Sequence, residues 1–150
     1  MAMTGLSRLG PLPLRLAVAA PLILHGYQKL FVNDFSKFVE SVATFGLPYS
    51  EVLAYVAAWG ELGGGVLLAL GFVTRLAALI NAGTMVVAIW KVHMQGDFMA
   101  NWQRLSGDGG YEFPLVILGA CLCLVMTGAG ALSVDGALAM KKQREPAPEQ

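Results

Sequence analysis

Three ionisable residues stand inside apolar stretches of this chain, where charged side chains are rare. His25 and Lys29 lie in one such stretch, and Glu61 lies in the next. A charge at membrane depth costs at least about 2.5 kcal/mol, so such a residue usually has a partner and a purpose. Carboxylate, imidazole and ammonium groups are the side chains that hold and transfer protons. The sequence therefore predicts that Glu61, His25 and Lys29 handle protons or hydrogen-bond a bound molecule.

The spacing of these residues predicts that they meet between two helices. His25 and Lys29 are four residues apart and share one helix face. Glu61 has small neighbours on its own helix face, including Gly64 and Gly65, and small residues let a second helix approach closely. We expect Glu61 to pair with Lys29 or with His25. A purely architectural ion pair is one alternative, and extension of the Lys29 side chain to the outer membrane surface is another.

Four further residues are candidates for the mouth of the same pocket. Trp59 is close to Glu61 in the chain, while His93, Tyr111 and Glu112 lie at the ends of apolar stretches. Core packing is the alternative for Trp59, and plain solvation is the alternative for His93 and Glu112. The two histidines could join the two glutamates around a metal ion only if three helices converged. We therefore predict no metal site.

The composition places the chain in a lipid bilayer. Hydrophobic residues make up 56% of it and charged residues only 13%, with a mean hydropathy of +0.61. A soluble domain carries about 25% charged residues. The formal net charge is zero, so we expect no binding to nucleic acid, which favours a basic surface.

Four apolar stretches approach the length of a membrane-spanning helix, which is about 20 residues. The sequence therefore predicts an all-α fold, a polytopic membrane protein with four transmembrane helices in an antiparallel bundle. The loop after the first stretch has phenylalanines at near-helical spacing, which is typical of a short interfacial helix. We predict one domain over 1–140 and a polar, disordered tail over 141–150. The four predicted spans are 12–32, 52–72, 74–92 and 111–128.

The distribution of basic residues predicts the orientation. Lysine and arginine are more frequent on the side that holds both termini, and the side richer in these residues is normally cytoplasmic. We therefore expect cytoplasmic N and C termini. On this orientation Lys29, His25 and Glu61 lie in the outer half of the bundle, and their pocket opens outward. The residues on the predicted cytoplasmic side are Arg8, Arg15, Arg75, Lys141, Lys142 and Arg144.

Five short motifs occur in order along the chain and carry a family resemblance. The motifs and the four apolar stretches together cover about residues 12 to 135. This pattern resembles the DoxX family of small bacterial membrane proteins. The resemblance implies a four-helix bundle that crosses the bacterial inner membrane several times. The motifs are HGYQKL at 25–30, FGLP at 45–48, ELGG at 61–64, GFVTR at 71–75 and YEFP at 111–114.

The resemblance implies a redox role. The family is similar to the small membrane subunit of thiosulfate:quinone oxidoreductase, and some members are linked with thiol-redox partners. It therefore implies a quinone as the candidate cofactor. Cys121 and Cys123 are two residues apart and form no Cys-x-x-Cys pair, which argues against direct thiol chemistry in this chain.

Three functional hypotheses follow. The first is a redox subunit whose pocket binds a quinone. The second is a scaffold that holds a partner enzyme through loop 93–110. The third is a transporter for a small solute or a proton, which would need a second copy of the chain because no inverted repeat is visible. The resemblance favours the first.

Overall fold

The computed structural model describes residues 9–93 and 110–144, which fold into helices without any strand. This confirms the predicted all-α fold. Helix α1 continues as a π-helical turn over Gln28–Val32, and α4 does so over Ile89–His93. The helices of the described part are α1 (Pro11–Tyr27), α2 (Phe35–Ala43), α3 (Ser50–Leu70), α4 (Thr74–Ala88), α5 (Glu112–Thr127) and α6 (Val134–Arg144).

The helix bounds follow the apolar stretches closely. Each of α1, α3, α4 and α5 begins and ends within about two residues of one predicted stretch when the π-helical turns are included. Helix α2 occupies the loop where a short interfacial helix was expected. Helix α6 continues to Arg144, past the predicted boundary at 140. The rest of the predicted tail, 145–150, lies outside the described residues.

Helices α1, α3, α4 and α5 form an antiparallel bundle. Helix α1 packs mainly against α3, and α4 packs against both α3 and α5. One end of the bundle, here called the Lys29 end, holds α2 and both π-helical turns. The opposite end, here called the Arg15 end, holds the α3–α4 turn and the start of α6. The core between the helices consists of Val18, Ala19, Leu22, Leu68, Ala77, Ala78, Ala82, Met85, Ile117, Cys121 and Leu124.

Two glycines allow α1 and α3 to approach closely. A Cβ atom on Gly26 would lie 2.5 Å from the backbone nitrogen of Leu62, and one on Gly65 would lie 2.8 Å from Cγ1 of Ile23. No side chain fits at such distances, so the two backbones are in direct contact. Lys29 follows Gly26 on α1 and Glu61 precedes Leu62 on α3, which places these two charged residues beside the contact.

The turn between α3 and α4 is held by a residue from the far end of the chain. Gly71 ends α3 in the left-handed conformation, with φ 66°, which costs least for glycine. The backbone N–H groups of Val73 and Thr74 donate to the two carboxylate oxygens of Asp135, at 2.8 and 3.0 Å. The cap at the start of α4 is therefore supplied by α6, 61 residues further along the chain.

The outside of the bundle is strongly apolar. Large side chains such as Leu24 (61% exposed), Val116 (68%) and Met126 (79%) face outward, whereas soluble monomers rarely expose large continuous apolar surfaces. Within residues 9–93 and 110–144, two helices are long and apolar enough to cross a membrane by length and composition, namely Ser50–Leu70 and Thr74–Val92. Helix α5 is apolar but shorter. This exterior suits contact with lipid.

Candidate functional site

A buried ion pair lies between α1 and α3. The Nζ atom of Lys29 is 2.6 Å from both Oε1 and Oε2 of Glu61. Glu61 is only 5% exposed, and 25% of the Lys29 side chain is accessible. Burying either charge alone would be costly, and the short contact offsets that cost. Of the two partners expected for Glu61, the structure pairs it with Lys29.

Local structure at the Lys29 end brings the lysine into place. Lys29 lies in the π-helical turn that extends α1, and such turns often occur at functional sites because they change the direction of side chains locally. Its Nζ atom also lies 4.9 Å from the ring centroid of Phe38 on α2, within the range of a cation–π interaction. Lys29 therefore links α2 to the buried carboxylate of Glu61.

The larger of two cavities beside the ion pair, here called the large cavity, lies between α2, α3 and α4. Its volume is about 400 Å³, and its lining is mostly apolar, with Val42 and Phe45 on one side and Val56 and Val87 on the other. Lys29 and Glu61 provide its charged wall. Ligand sites of this kind combine apolar walls with a few polar groups that fix orientation.

A smaller cavity, here called the small cavity, lies on the opposite side of the pair. Its volume is about 130 Å³, and residues of α1, α3, α4 and α5 line it. His25, Met85 and Phe113 contribute to this cavity, together with Lys29 and Glu61. The exposed ring of His25 lies 5.8 Å from the ring of Phe113, between ring centroids. The ion pair therefore borders both cavities.

The other predicted site residues lie further from the pair. Trp59 is 53% exposed and lines a separate groove with Gly60 and Gly63, and its ring meets the Phe31 ring edge-on at 6.3 Å. The helix rotation that buries Glu61 thus turns Trp59 away from both cavities.

Tyr111 and Glu112 lie half-buried at the start of α5, immediately before Phe113 and Pro114, which line the small cavity. His93 is the last described residue of the π-helical turn on α4, and residues 94–109 of the predicted partner loop lie outside the described part of the chain. The structure thus brings Glu61, Lys29 and His25 together around the small cavity.

A second buried charge, Arg15, is one that the sequence reasoning did not single out. Arg15 is completely buried, and its Nη2 donates to the carbonyl oxygen of Leu132 at 3.0 Å. Its Nε and Nη1 have no hydrogen-bond partner among the described residues. In the sequence, Arg15 contributes to the predicted orientation. An arginine inside an apolar stretch also carries the same signal that identifies Lys29.

Arg15 acts electrostatically on Asp135, the residue that caps α4. Partial burial alone would raise the pKa of Asp135, but hydrogen bonds from the Thr74 and Val73 backbone N–H groups and the charge of Arg15 outweigh it. The pKa of Asp135 is therefore held below its ordinary value. These contacts join α1, α4 and α6 at the Arg15 end.

Comparisons with known proteins identify the family. The DoxX family model matches residues 10–94, more than half of the chain, including Lys29 and Glu61. Inner membrane protein YphA of Escherichia coli is 32% identical over 130 residues, which cover 81% of this chain and 84% of the relative. The Bacillus subtilis protein named "Putative oxidoreductase CatD" is 31% identical over 127 residues, 85% of each chain.

A third relative matches over a shorter part of the chain and is also an inner membrane protein. Inner membrane protein YqjF of Escherichia coli is 33% identical over 81 residues, 54% of this chain and 58% of the relative. No solved structure matches the chain. The family model, the inner-membrane relatives and the apolar exterior agree, and the chain belongs to the DoxX family and is a bacterial inner-membrane protein.

Proposed function

We propose that this chain is the quinone-binding membrane subunit of an oxidoreductase. The observation that carries the proposal is the buried Lys29–Glu61 pair on the wall of an apolar cavity of about 400 Å³. The oxidoreductase in the name of the Bacillus subtilis relative, which is similar over 85% of both chains, supports the same class of function.

The large cavity suits a quinone head group in size and chemistry. Its volume falls within the range of small-molecule sites, roughly 300–1,000 Å³. A quinone presents a flat apolar ring with two carbonyl oxygens, and the ammonium of Lys29 has three N–H donors. Two of these can serve the Glu61 oxygens while the third donates to a quinone carbonyl. The apolar walls, including Val56 and Val87, would hold the ring.

The residues of the pair have separate roles in this proposal. A partner dehydrogenase would supply two electrons, and reduction of a bound quinone to the quinol would take up two protons. Lys29 orients the carbonyl oxygen and holds a proton at Nζ next to it. Glu61 balances the charge of Lys29 and can receive a proton at either carboxylate oxygen. The apolar walls exclude bulk water, which strengthens these charged hydrogen bonds.

The proposal includes a membrane arrangement. The chain would cross the membrane four times, with both termini in the cytoplasm and the Lys29 end toward the outside. The large cavity, which lies between α2, α3 and α4, would then receive a lipid-soluble ligand from the bilayer. The partner dehydrogenase would bind at the outer loop 93–110.

The proposal is tested by titrating the purified protein in lipid nanodiscs with ubiquinone-1. Glu61→Gln removes the carboxylate that holds the Lys29 ammonium against the cavity, so the charged hydrogen bond from Lys29 to the quinone, worth about 1.5–3 kcal/mol, is weakened and we expect the Kd to rise about 10-fold or more. Glu51→Gln makes the same chemical change on the exposed first turn of α3 and should leave the Kd unchanged. An undetectable affinity in the unsubstituted protein, or equal affinity in Glu61→Gln, would overturn the proposal.

A further inference from the structure

We infer that the small cavity is a water-filled proton inlet to the Lys29–Glu61 pair, and that His25 stands at its entrance. This inference rests on the proposed function, because it assigns the large cavity to the quinone. It divides the site into an apolar side for the ligand and an aqueous side for protons, with the ion pair as the shared wall.

The shared wall is a direct feature of the geometry. Lys29, Glu61 and Ala88 line both cavities. A proton that reaches the Glu61 carboxylate from the small cavity, or reaches Nζ of Lys29 after that atom has given up a proton, is therefore already at the wall of the large cavity. No further side chain has to carry the proton between the two cavities.

The two cavities differ in what they can hold. A water molecule in a cavity needs two to four polar partners and takes up roughly 30 Å³. The small cavity, at about 130 Å³, has room for a few waters, and His25, Lys29 and Glu61 supply polar partners around it. Beside the ion pair, the small cavity has His25 among seven apolar residues, whereas the large cavity has Thr84 among twelve, so polar groups make up a larger share of the small cavity's lining.

The position of His25 suits the entrance to an inlet. Its side chain is exposed at the surface of the bundle, in the half that the proposed orientation turns toward the outside, whereas Lys29 is only partly accessible and Glu61 is buried. His25 lies one helical turn before Lys29 on α1, so it shares the face that borders the small cavity. A neutral imidazole accepts a proton at one ring nitrogen and donates from the other, which is what transfer from solvent to an interior water requires.

A separate inlet is needed because the ligand closes the other side. With a ring in the large cavity, apolar walls and the ring itself would cover that face of the pair. The two protons taken up with two electrons would then have to reach Nζ of Lys29 or the Glu61 carboxylate from the opposite face. The small cavity borders that face.

Two neighbouring residues on α4 allow a matched test. Met85 lines only the small cavity and Thr84 only the large one, and their adjacency gives them the same membrane depth. In a background with Cys121→Ala and Cys123→Ala, each is replaced by cysteine and treated from outside with sulfonatoethyl methanethiosulfonate or Ag⁺. The reacting thiolate forms in water and not in an apolar cavity, so Met85→Cys should react at least about tenfold faster than Thr84→Cys.

Equal rates, faster reaction of Thr84→Cys, or no reaction of Met85→Cys even with Ag⁺ would overturn the inlet. His25→Phe should slow the modification of Met85→Cys, while His25→Gln, which stays polar, should not. An unchanged rate in His25→Phe would remove His25 from the entrance. Ubiquinone-1 should protect Thr84→Cys and leave Met85→Cys reactive.

The protein without cysteine substitutions offers a second measurement that does not depend on how the cysteine variants fold. The infrared carboxylate band of Glu61 is identified by subtracting the spectrum of Glu61→Gln. This band should shift within seconds of transfer to D₂O. A band that does not shift would contradict the inlet. If ubiquinone-1 binds but Met85→Cys does not react, only the inlet is overturned. If ubiquinone-1 does not bind, the proposed function is overturned.

Discussion

The buried charge of Glu61 is tolerated because one lysine neutralises it at short range. Lys29 Nζ contacts both carboxylate oxygens at 2.6 Å, and small residues around the carboxylate let α1 come close enough for this contact. Removing one member of a buried pair leaves an uncompensated charge, which costs more than removing both. The coupling between the two residues can therefore be measured.

We predict strong coupling between Lys29 and Glu61 in a double-mutant cycle. Lys29→Met and Glu61→Gln should each lower the free energy of unfolding in mixed micelles, with Lys29→Met costing about 3 kcal/mol because it leaves a buried carboxylate unpaired. The double variant should be more stable than the sum of the single changes implies by at least about 1 kcal/mol. Additive losses would show that the pair does not interact in the folded protein.

A second residue-scale prediction concerns the pH dependence of stability at Asp135. Its pKa is lowered in the folded protein, so its contribution to stability is complete above the unfolded value of about 3.9 and is lost as the pH falls through the folded pKa. Asp135→Asn should therefore flatten the stability profile below about pH 4 and weaken the α4 cap by about 1 kcal/mol at neutral pH.

Asp34→Asn is the matched control for this prediction, because Asp34 caps α2 from an exposed position within its own turn. Unfolding free energies measured from pH 3 to pH 7 check both variants. A profile that keeps its acid slope in Asp135→Asn would contradict the role assigned to this carboxylate.

The sequence predicts the contacts of some charged residues and misses those of others, for physical reasons. Glu61 and Lys29 could be predicted to pair because depth and helix spacing restrict the partners of a buried carboxylate. Arg15 has its hydrogen-bond acceptor, Leu132, 117 residues away, and no local pattern indicates such a contact. Trp59 lines a separate groove, and its proximity to Glu61 in the chain does not reveal which way the helix is turned.

Helices α1 and α4 both change to π-helical geometry at the Lys29 end of the bundle. Lys29 lies in one of these turns, and Lys91 lies in the other and donates to the carbonyl oxygen of Phe45 at 3.0 Å. That hydrogen bond fixes the segment after α2, so α2 and the turn that follows it cover one side of the large cavity. The apolar stretches predict the helices, but nothing in their period distinguishes a π-helical turn from an α-helical one.

The close contact of α1 with α3 gives an element-scale prediction. Gly26→Ala would place a Cβ atom 2.5 Å from the Leu62 backbone nitrogen, so the helices must separate, at a cost of about 1–3 kcal/mol. Lys29 would move away from Glu61, and the affinity for ubiquinone-1 should fall with the stability. Gly63→Ala is the control, because a Cβ atom there meets nothing within 4 Å, and it should keep full affinity. Equal behaviour of the two variants would argue against direct backbone contact.

The whole molecule has a charged group buried near each end of an otherwise apolar bundle. The Lys29–Glu61 pair lies toward one end, and Arg15 with Asp135 joins three helices at the other. The predicted orientation puts the first in the outer half of the membrane and the second near the cytoplasm.

Composition and stretch length were sufficient to predict the all-α membrane fold. The contact of α6 with the α3–α4 turn depends on long-range packing that one sequence does not encode locally.

The whole molecule is predicted to cross the membrane four times, with both termini in the cytoplasm. Fusions of alkaline phosphatase, which is active only outside the cytoplasm, should be active after Arg104 and inactive after Arg75. A green fluorescent protein fused after Gln150 should fluoresce. An active phosphatase after Arg75, or a dark C-terminal fusion, would reverse the assignment of the Lys29 end to the outer side.

The central claim, that the large cavity binds a quinone against the ion pair, is tested most directly by photo-crosslinking. An azido-ubiquinone would be activated in native membranes and its adducts mapped by mass spectrometry. We expect adducts on the lining of the large cavity, in residues 38–47 and 83–92, that are lost in Glu61→Gln and retained in Glu51→Gln. Adducts on the Trp59 groove instead, or cavity adducts that persist in Glu61→Gln, would contradict the claim.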